Sequence, residues 1–189
     1  MLALCPPSGH APLVLAFAGL PGSGKSRLAG MLAQATRWST LNRDQIRAER
    51  NPGDPSDEVR AQADQLLLRR VGSGVRAAMN LIVDGKTFAR GADRASLQDV
   101  VDDAGGELQW CWLDVPLELA IERIQADTGH PAPDRDAALV RAVAARFEPL
   151  PDSAWRLDGR MAPDILLQQL LLQLALRLNA ILIDDRLPG

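Results

Sequence analysis

The hydrophobic residues of this chain fall into short continuous runs and into longer stretches with helical periodicity, and the two kinds alternate. The clearest run extends from Leu13 to Ala18, where six consecutive apolar residues predict a strand buried on both faces of a sheet. Shorter runs predict further strands at 38–41, 81–83, 108–113 and 155–157. Apolar positions at helical spacing predict helices at 25–35, 59–78, 94–104, 117–126, 137–147 and 164–178.

Strands that alternate with helices along a chain form a parallel sheet with right-handed crossovers. We therefore expect an α/β fold of three layers, in which a parallel sheet of about five strands has helices on both faces. The 189 residues suffice for one such domain. It would comprise an irregular leader over 1–12, a short lid loop over about 127–136, and a C-terminal helix and tail over 164–189. Ligands of these sheets bind beyond the carboxyl ends of the strands, which directs attention to the residues that follow each strand.

A glycine-rich segment follows the first predicted strand and matches the phosphate-binding pattern G-x-x-x-x-G-K-[ST] in full. Its glycines allow successive backbone N–H groups to point inward at a polyphosphate, and the helix that follows adds its positive end. We expect Lys25 to reach the β- and γ-phosphates and the Ser26 hydroxyl to bind Mg²⁺. No guanine-specific N-K-x-D motif is present, which favours ATP. The predicted nucleotide site consists of Gly19, Leu20, Pro21, Gly22, Ser23, Gly24, Lys25 and Ser26.

Two carboxylates end other predicted strands and should lie at the same edge of the sheet as this loop. Asp44 follows the second strand, where it could accept the proton of an attacking hydroxyl or cap the start of a helix. Asp84 ends the third strand, where it could hold the water shell of Mg²⁺ or simply begin a turn. Both alternatives stay open for each residue.

Composition narrows the class of partner. The net charge of −3, from 21 basic and 24 acidic residues, argues against a broad basic surface for extended nucleic acid, and the chain has no tyrosine. Cys5 and Cys111 have the spacing of neither a metal site nor a disulfide framework. The sequence shows no membrane-spanning run and no basic segment at its start, so we expect a cytoplasmic protein.

Several motifs in a fixed order resemble the small P-loop kinases that are related to phage polynucleotide kinase, zeta toxins and gluconate kinases. The resemblance covers about residues 13–160 and extends beyond the phosphate loop to short motifs that follow the later strands. They are Asn42-Arg43-Asp44-x-x-Arg47, Leu81-Ile82-Val83-Asp84-Gly-x-Thr87-Phe88, Trp112-Leu113-Asp114-Val115-Pro116 with Arg123, and Arg146-Phe147-Glu148-Pro149.

The resemblance implies transfer of the γ-phosphoryl group of MgATP to a hydroxyl. It assigns Asp44 as the base and Arg123, on a helix beneath a lid, as the group that stabilises the transferring phosphoryl group. The family tends to carry a second lid arginine about four residues further on, where this chain has Asp127. Arg135, in the loop over 127–136, is the candidate to replace it.

Cations near the predicted acceptor side favour a small and anionic acceptor, because arginine forks suit phosphate and carboxylate groups. Taken singly, each arginine is more typical of a solvated surface position, so the prediction rests on the cluster. We expect Arg47, Lys86 and Arg90 to contact the acceptor together with Asp44. The complete candidate wall consists of Arg43, Arg47, Lys86, Arg90 and Arg94.

The sequence therefore predicts an ATP-dependent kinase that phosphorylates a hydroxyl of a small molecule or of a nucleic acid. The alternative is a nucleotide-binding switch or ATPase that acts through a protein partner. Leu172 and Leu176 lie off the main apolar face of the last helix, where they serve either core packing or contact between two copies. Both a monomer and a homodimer are compatible with this pattern.

Overall fold

A parallel sheet organises the chain as the alternating pattern predicts. The computed structural model describes residues 11–50, 54, 56–127 and 136–184. Its strands pair in the order β2-β3-β1-β4-β5, and every neighbouring pair is parallel. The strands are β1 (Leu13–Ala18), β2 (Ser39–Asn42), β3 (Leu81–Asp84), β4 (Glu107–Asp114) and β5 (Trp155–Asp158).

Helices cover both faces of the sheet, which confirms the three-layer α/β fold. Leu13, Leu15 and Phe17 of β1 face one core, and Val14 and Ala16 face the other, because successive side chains of a strand point to opposite faces. The helices are α1 (Lys25–Thr36), α2 (Arg43–Arg50), α3 (Asp57–Arg76), α4 (Gly91–Asp103), α5 (Leu117–Ala126), α6 (Ala137–Ala145) and α7 (Pro163–Asp184). Core residues of α1 and α7 pack on the first face, and those of α2, α3 and α4 pack on the second.

The main differences from the sequence prediction lie at helix ends. Helix α2 directly follows β2 and buries only Ile46, so its apolar pattern was too short to predict a separate helix. Helix α4 begins at Gly91 rather than at Arg94, and α7 extends to Asp184. Residues 1–10 of the predicted leader, 128–135 of the predicted loop and 185–189 of the tail lie outside the described residues.

The last helix has one buried face and one exposed face. Leu166, Leu170 and Leu174 recur every four residues and are buried against β1, β4 and β5, which confirms core packing for this set. Leu172 and Leu176, in contrast, are each 61% exposed. Within the described part of the chain, no helix is long and apolar enough to cross a membrane.

The segment that follows β3 is held by residues more than fifty positions later. Glu148 accepts a hydrogen bond from the backbone N–H of Gly91 (2.9 Å), and its own N–H donates to the carbonyl of Ala89 (2.8 Å). The buried Arg94 guanidinium donates to the carbonyls of Phe88 (2.7 Å) and Pro149 (2.8 Å). The expectation that Arg94 belongs to an acceptor-facing cationic wall is therefore wrong, because its donors hold these two backbone segments together.

The contrast between the two faces of α7 gives a stability test. We expect Leu170→Ala to lower the free energy of unfolding by about 2–5 kcal/mol, because it removes a fully buried side chain from the core. The same substitution at Leu172, which is exposed on the same helix, should change it by less than about 0.5 kcal/mol. Urea unfolding monitored by circular dichroism measures both values, and equal losses would contradict the assigned packing of α7.

Candidate active site

The loop between β1 and α1 is packed so tightly that two of its glycines have no room for a side chain. Gly19 and Gly22 have φ values of +145° and +80°, which residues with a Cβ rarely adopt. A Cβ at Gly19 would lie 2.6 Å from the carbonyl oxygen of Leu113, and one at Gly22 would collide with that of Ala120. The loop is thus fitted between the end of β4 and helix α5.

Lys25 lies on the inner side of this loop and is only 8% exposed. Its Nζ donates to the carbonyls of Gly19 (2.9 Å) and Leu20 (2.7 Å), and approaches Ser23 Oγ at 3.3 Å. Ser26, in the first turn of α1, is exposed and lines, with Lys25, a cleft at this edge of the sheet. That turn contains no acidic residue, and its N-cap, Gly24, has no side chain to accept from the free N–H groups. The loop therefore combines an ammonium group with a helix N-terminus, the arrangement that binds phosphates.

Arg123 brings a second cation to the loop from helix α5. Its Nη1 lies 3.4 Å from the carbonyl oxygen of Ser23, and the side chain lines the cleft. Among the described residues Arg123 forms no ion pair, so its charge is available to a bound anion. Arg123 thus lies beside the phosphate loop. Arg135, the predicted second arginine, lies outside the described residues.

A buried carboxylate oxygen at the end of β3 fits a cation. Asp84 is 1% exposed and pairs in register with Asn42 of β2, whose Nδ2 donates to Asp84 Oδ2 (2.7 Å). Asp84 Oδ1 is buried without a hydrogen-bond partner in the described part of the chain. No group of three histidine, cysteine or acidic side chains suited to a metal occurs among the described residues. Mg²⁺ in phosphate sites usually needs only one or two protein ligands besides phosphate oxygens, so Ser26 and Asp84 fit this donor set.

Asp44 lies in the first turn of α2 and faces the cleft. The cap of this helix is Asn42, whose Oδ1 accepts from the N–H of Gln45 (3.0 Å). The alternative that Asp44 serves as the cap is therefore wrong. Asp44 Oδ1 accepts from Arg43 Nη1 (3.1 Å), while its Oδ2 has no hydrogen bond to a described residue.

Asp64 of α3 also lines the cleft and was not identified from the sequence. Its two oxygens accept from Arg43 Nε (2.9 Å) and from Lys86 Nζ (2.7 Å), and Lys86 also pairs with Asp93 (3.1 Å). Burial opposes the charge of Arg43, but Asp64 and Asp44 outweigh it and keep the pKa of the guanidinium above its ordinary value. The sequence signal for Asp64 was weak, because it stands inside a helix and follows no strand. The one feature that could have indicated Asp64 is its position in α3, next to Ala63 and close to Leu67, which are both buried.

The cleft lined by the phosphate loop, Asp44, Asp64 and Arg123 has a volume of about 1180 Å³ and a cationic lining. Cationic side chains outnumber acidic ones nine to five, although the whole chain carries a net charge of −3. Arg47 and Arg90 line the cleft as predicted, and so does Lys86. Asp114 is paired with Arg156 (2.5 Å) and lies outside this lining.

Structural comparison places this fold among kinases. A gluconokinase from Sinorhizobium meliloti 1021 has a TM-score of 0.67 at 19% identity, with 94% of this chain and 99% of that chain covered. The APS kinase CysC of Mycobacterium tuberculosis, solved with AMPPNP and APS, has a TM-score of 0.68 at 21% identity, over 87% and 98% of the two chains. A chain of the Pnkp1/Rnl/Hen1 RNA repair complex has a TM-score of 0.60 at 22% identity, and 77% of this chain matches half of it.

Sequence comparison gives the family. No match was found among curated protein sequences. Residues 14–150 match the AAA_33 family, described as an AAA domain. This segment begins in β1, includes α6 and ends just after the Arg146-Phe147-Glu148-Pro149 motif. The structural neighbours agree with the resemblance to small P-loop kinases. The chain therefore belongs to the AAA_33 family of AAA domains and has the P-loop fold of the small kinases.

Proposed function

We propose that this protein transfers the γ-phosphoryl group of MgATP to a hydroxyl of a small acceptor. The observation that carries the proposal is that Lys25 on the phosphate loop and Asp44 on α2 line one continuous cleft. A nucleotide-binding switch needs the first group but has no use for the second. The kinase fold of the neighbours supports the same conclusion.

Asp44 would act as the base. The acceptor hydroxyl donates to Asp44 Oδ2, and its proton passes to this carboxylate as the oxygen bonds to the γ-phosphorus and the bond to the ADP oxygen breaks. Arg43 holds Oδ1 of the same carboxylate, so the second oxygen has a fixed direction. Positioning of this kind supplies much of the catalysis in phosphoryl transfer.

The cations around the loop would neutralise the charge of the transferring group. Lys25, at the start of α1, and Arg123, on α5, both contact backbone carbonyls of the loop. We propose Ser26 and Asp84 as the residues that hold Mg²⁺, which neutralises phosphate charge when bound. The buried Asp84 Oδ1 supports this assignment.

The acceptor would be small and anionic. A cleft of about 1180 Å³ exceeds the usual size of a single-ligand pocket and so has room for a nucleotide and one small molecule. Its cationic excess favours an acceptor with a negative group. Because one structural neighbour belongs to an RNA repair complex, an oligonucleotide with a 5′-hydroxyl belongs in the same assay as small sugar acids and nucleotides.

Asp44→Asn tests the base. Transfer of radiolabelled phosphate from ATP to the best acceptor in this panel should fall by about 100-fold or more, because the amide cannot accept the hydroxyl proton. Glu49→Gln removes the same charge from an exposed position on the same helix and should leave transfer unchanged. The rise in melting temperature with Mg-AMPPNP should be the same in both variants. Full transfer by Asp44→Asn would show that Asp44 is not the base. Nucleotide binding with no transfer to any acceptor, together with slow ATP hydrolysis that Asp44→Asn leaves unchanged, would instead favour the switch.

Gly22→Ala tests the phosphate loop. The new Cβ meets the carbonyl of Ala120 and requires a disfavoured φ, so the loop must shift at a cost of about 1–3 kcal/mol. We expect the dissociation constant for MgATP, measured by titration calorimetry, to rise by about tenfold or more. Gly30→Ala lies in α1, the helix that follows the loop, where a Cβ meets nothing within 4 Å; it should stabilise the fold by about 0.5–1 kcal/mol and leave the affinity unchanged. Unchanged affinity in Gly22→Ala would show that the loop does not hold the nucleotide.

A further inference from the structure

We propose that Asp64 is a positioning residue for the base. It holds the guanidinium of Arg43 away from one oxygen of Asp44, so that this oxygen stays open to the acceptor hydroxyl. The inference rests on the proposed kinase function and gives a role to a residue of α3 that the proposed transfer step does not use. Asp64 acts on the reaction only through Arg43.

Arg43 divides its donors between two carboxylates. Its Nε donates to Asp64 Oδ1 (2.9 Å), and its Nη1 donates to Asp44 Oδ1 (3.1 Å). Burial lowers the pKa of Arg43, and the two carboxylates raise it above its ordinary value, Asp64 more than Asp44. Asp64 is therefore the stronger partner of this guanidinium. Asp44 receives a single hydrogen bond from it and keeps Oδ2 without a partner among the described residues.

Without Asp64 the guanidinium would have Asp44 as its one carboxylate partner among the described residues. An arginine with one carboxylate partner favours two parallel N–H···O bonds, one to each oxygen. Such a contact would occupy Asp44 Oδ2, the atom that accepts the hydroxyl proton in the proposed reaction. The closer positive charge would also favour the ionised carboxylate and make it a weaker proton acceptor.

Asp64 is itself held from its other side. Its Oδ2 accepts from Lys86 Nζ (2.7 Å), and the same Nζ donates to Asp93 Oδ1 of α4 (3.1 Å). Three carboxylates and two cations thus form one chain of ion pairs that joins α2, α3 and α4. No side chain in this chain of ion pairs is more than 35% exposed, so water and salt screen it less than a surface pair.

The first test compares two variants of α3. Asp64→Asn keeps the shape of the side chain and removes its charge, and Glu58→Gln removes a charge from an exposed position outside the cleft. The assay uses MgATP and the member of the sugar-acid, nucleotide and oligonucleotide panel that is phosphorylated fastest. Asp64→Asn should lower kcat by about 10–100-fold and leave the KM for MgATP within about twofold, whereas Glu58→Gln should change neither. A higher acceptor KM at unchanged kcat would overturn the proposal, because Asp64 would then act on binding through Lys86.

Arg43→Gln tests whether Asp64 acts through the guanidinium. With Arg43 replaced, no fork remains to close on Asp44, so the double variant with Asp64→Asn should have the same kcat as Arg43→Gln alone. A further loss of kcat in the double variant would overturn the proposal. If Asp64→Asn alone does not fold, this comparison still applies, because the double variant contains no guanidinium that lacks its partner.

A crystal structure of the Asp64→Asn protein tests the geometry without any activity. Both oxygens of Asp44 should then accept hydrogen bonds from Arg43, and a guanidinium that keeps only its contact to Oδ1 would overturn the proposal. Failure of Mg-AMPPNP to raise the melting temperature of the unaltered protein would overturn the kinase function instead. In that case the two-oxygen contact in the crystal still supports control of Arg43 by Asp64, and its absence still contradicts it.

Discussion

The close packing of the phosphate loop against its neighbours is the constraint on which the site depends. The loop touches the carbonyls of Leu113 and Ala120 where only glycine fits, and the N–H of Gly19 donates to the carbonyl of Thr87 (3.1 Å). Its three neighbours are therefore the end of β4, helix α5 and the segment after β3. The first fixes the loop on the sheet, the second carries Arg123, and the third leads into the acceptor side. One tightly packed turn thus sets the relative positions of the groups that would act on the two substrates.

Charge is distributed unevenly over the molecule, and ion pairs within the cleft involve some of its cations but not others. The acidic chain concentrates its cations around one cavity, where carboxylates neutralise some of them and leave others unpaired. Asp64 is central to this arrangement, because its two oxygens hold one cation from the end of β2 and one from the end of β3. A single aspartate on α3 therefore links the residues that follow two neighbouring strands.

The parts of the site that the sequence predicted are those in which local chemistry and chain order coincide. A buried strand, a glycine-rich turn and a helix follow one another at residues 13–36, and strand ends placed Asp44 and Asp84 at one edge of the sheet. Asp64 was missed because its role comes from packing between α3 and two strands, which no short motif records. Arg94 was misassigned for the same reason, since spacing gives a helix position and only tertiary packing shows that the guanidinium is buried. Asn42, rather than the aspartate two residues later, caps α2 because the strand ends there in register with Asp84.

The link between Glu148 and the start of α4 has a consequence for engineering. Residues 88–94 and 147–150 are remote in the sequence, yet side chains from each stretch complete the backbone hydrogen bonding of the other. The two stretches therefore form one structural unit, although they are separate in the sequence. A chimera that imports the first stretch from a relative without the second would inherit a helix start lacking its acceptor and a guanidinium lacking one of its carbonyls. Grafts onto this fold should therefore exchange the two segments together, because a transplant of one alone leaves these hydrogen bonds unmade.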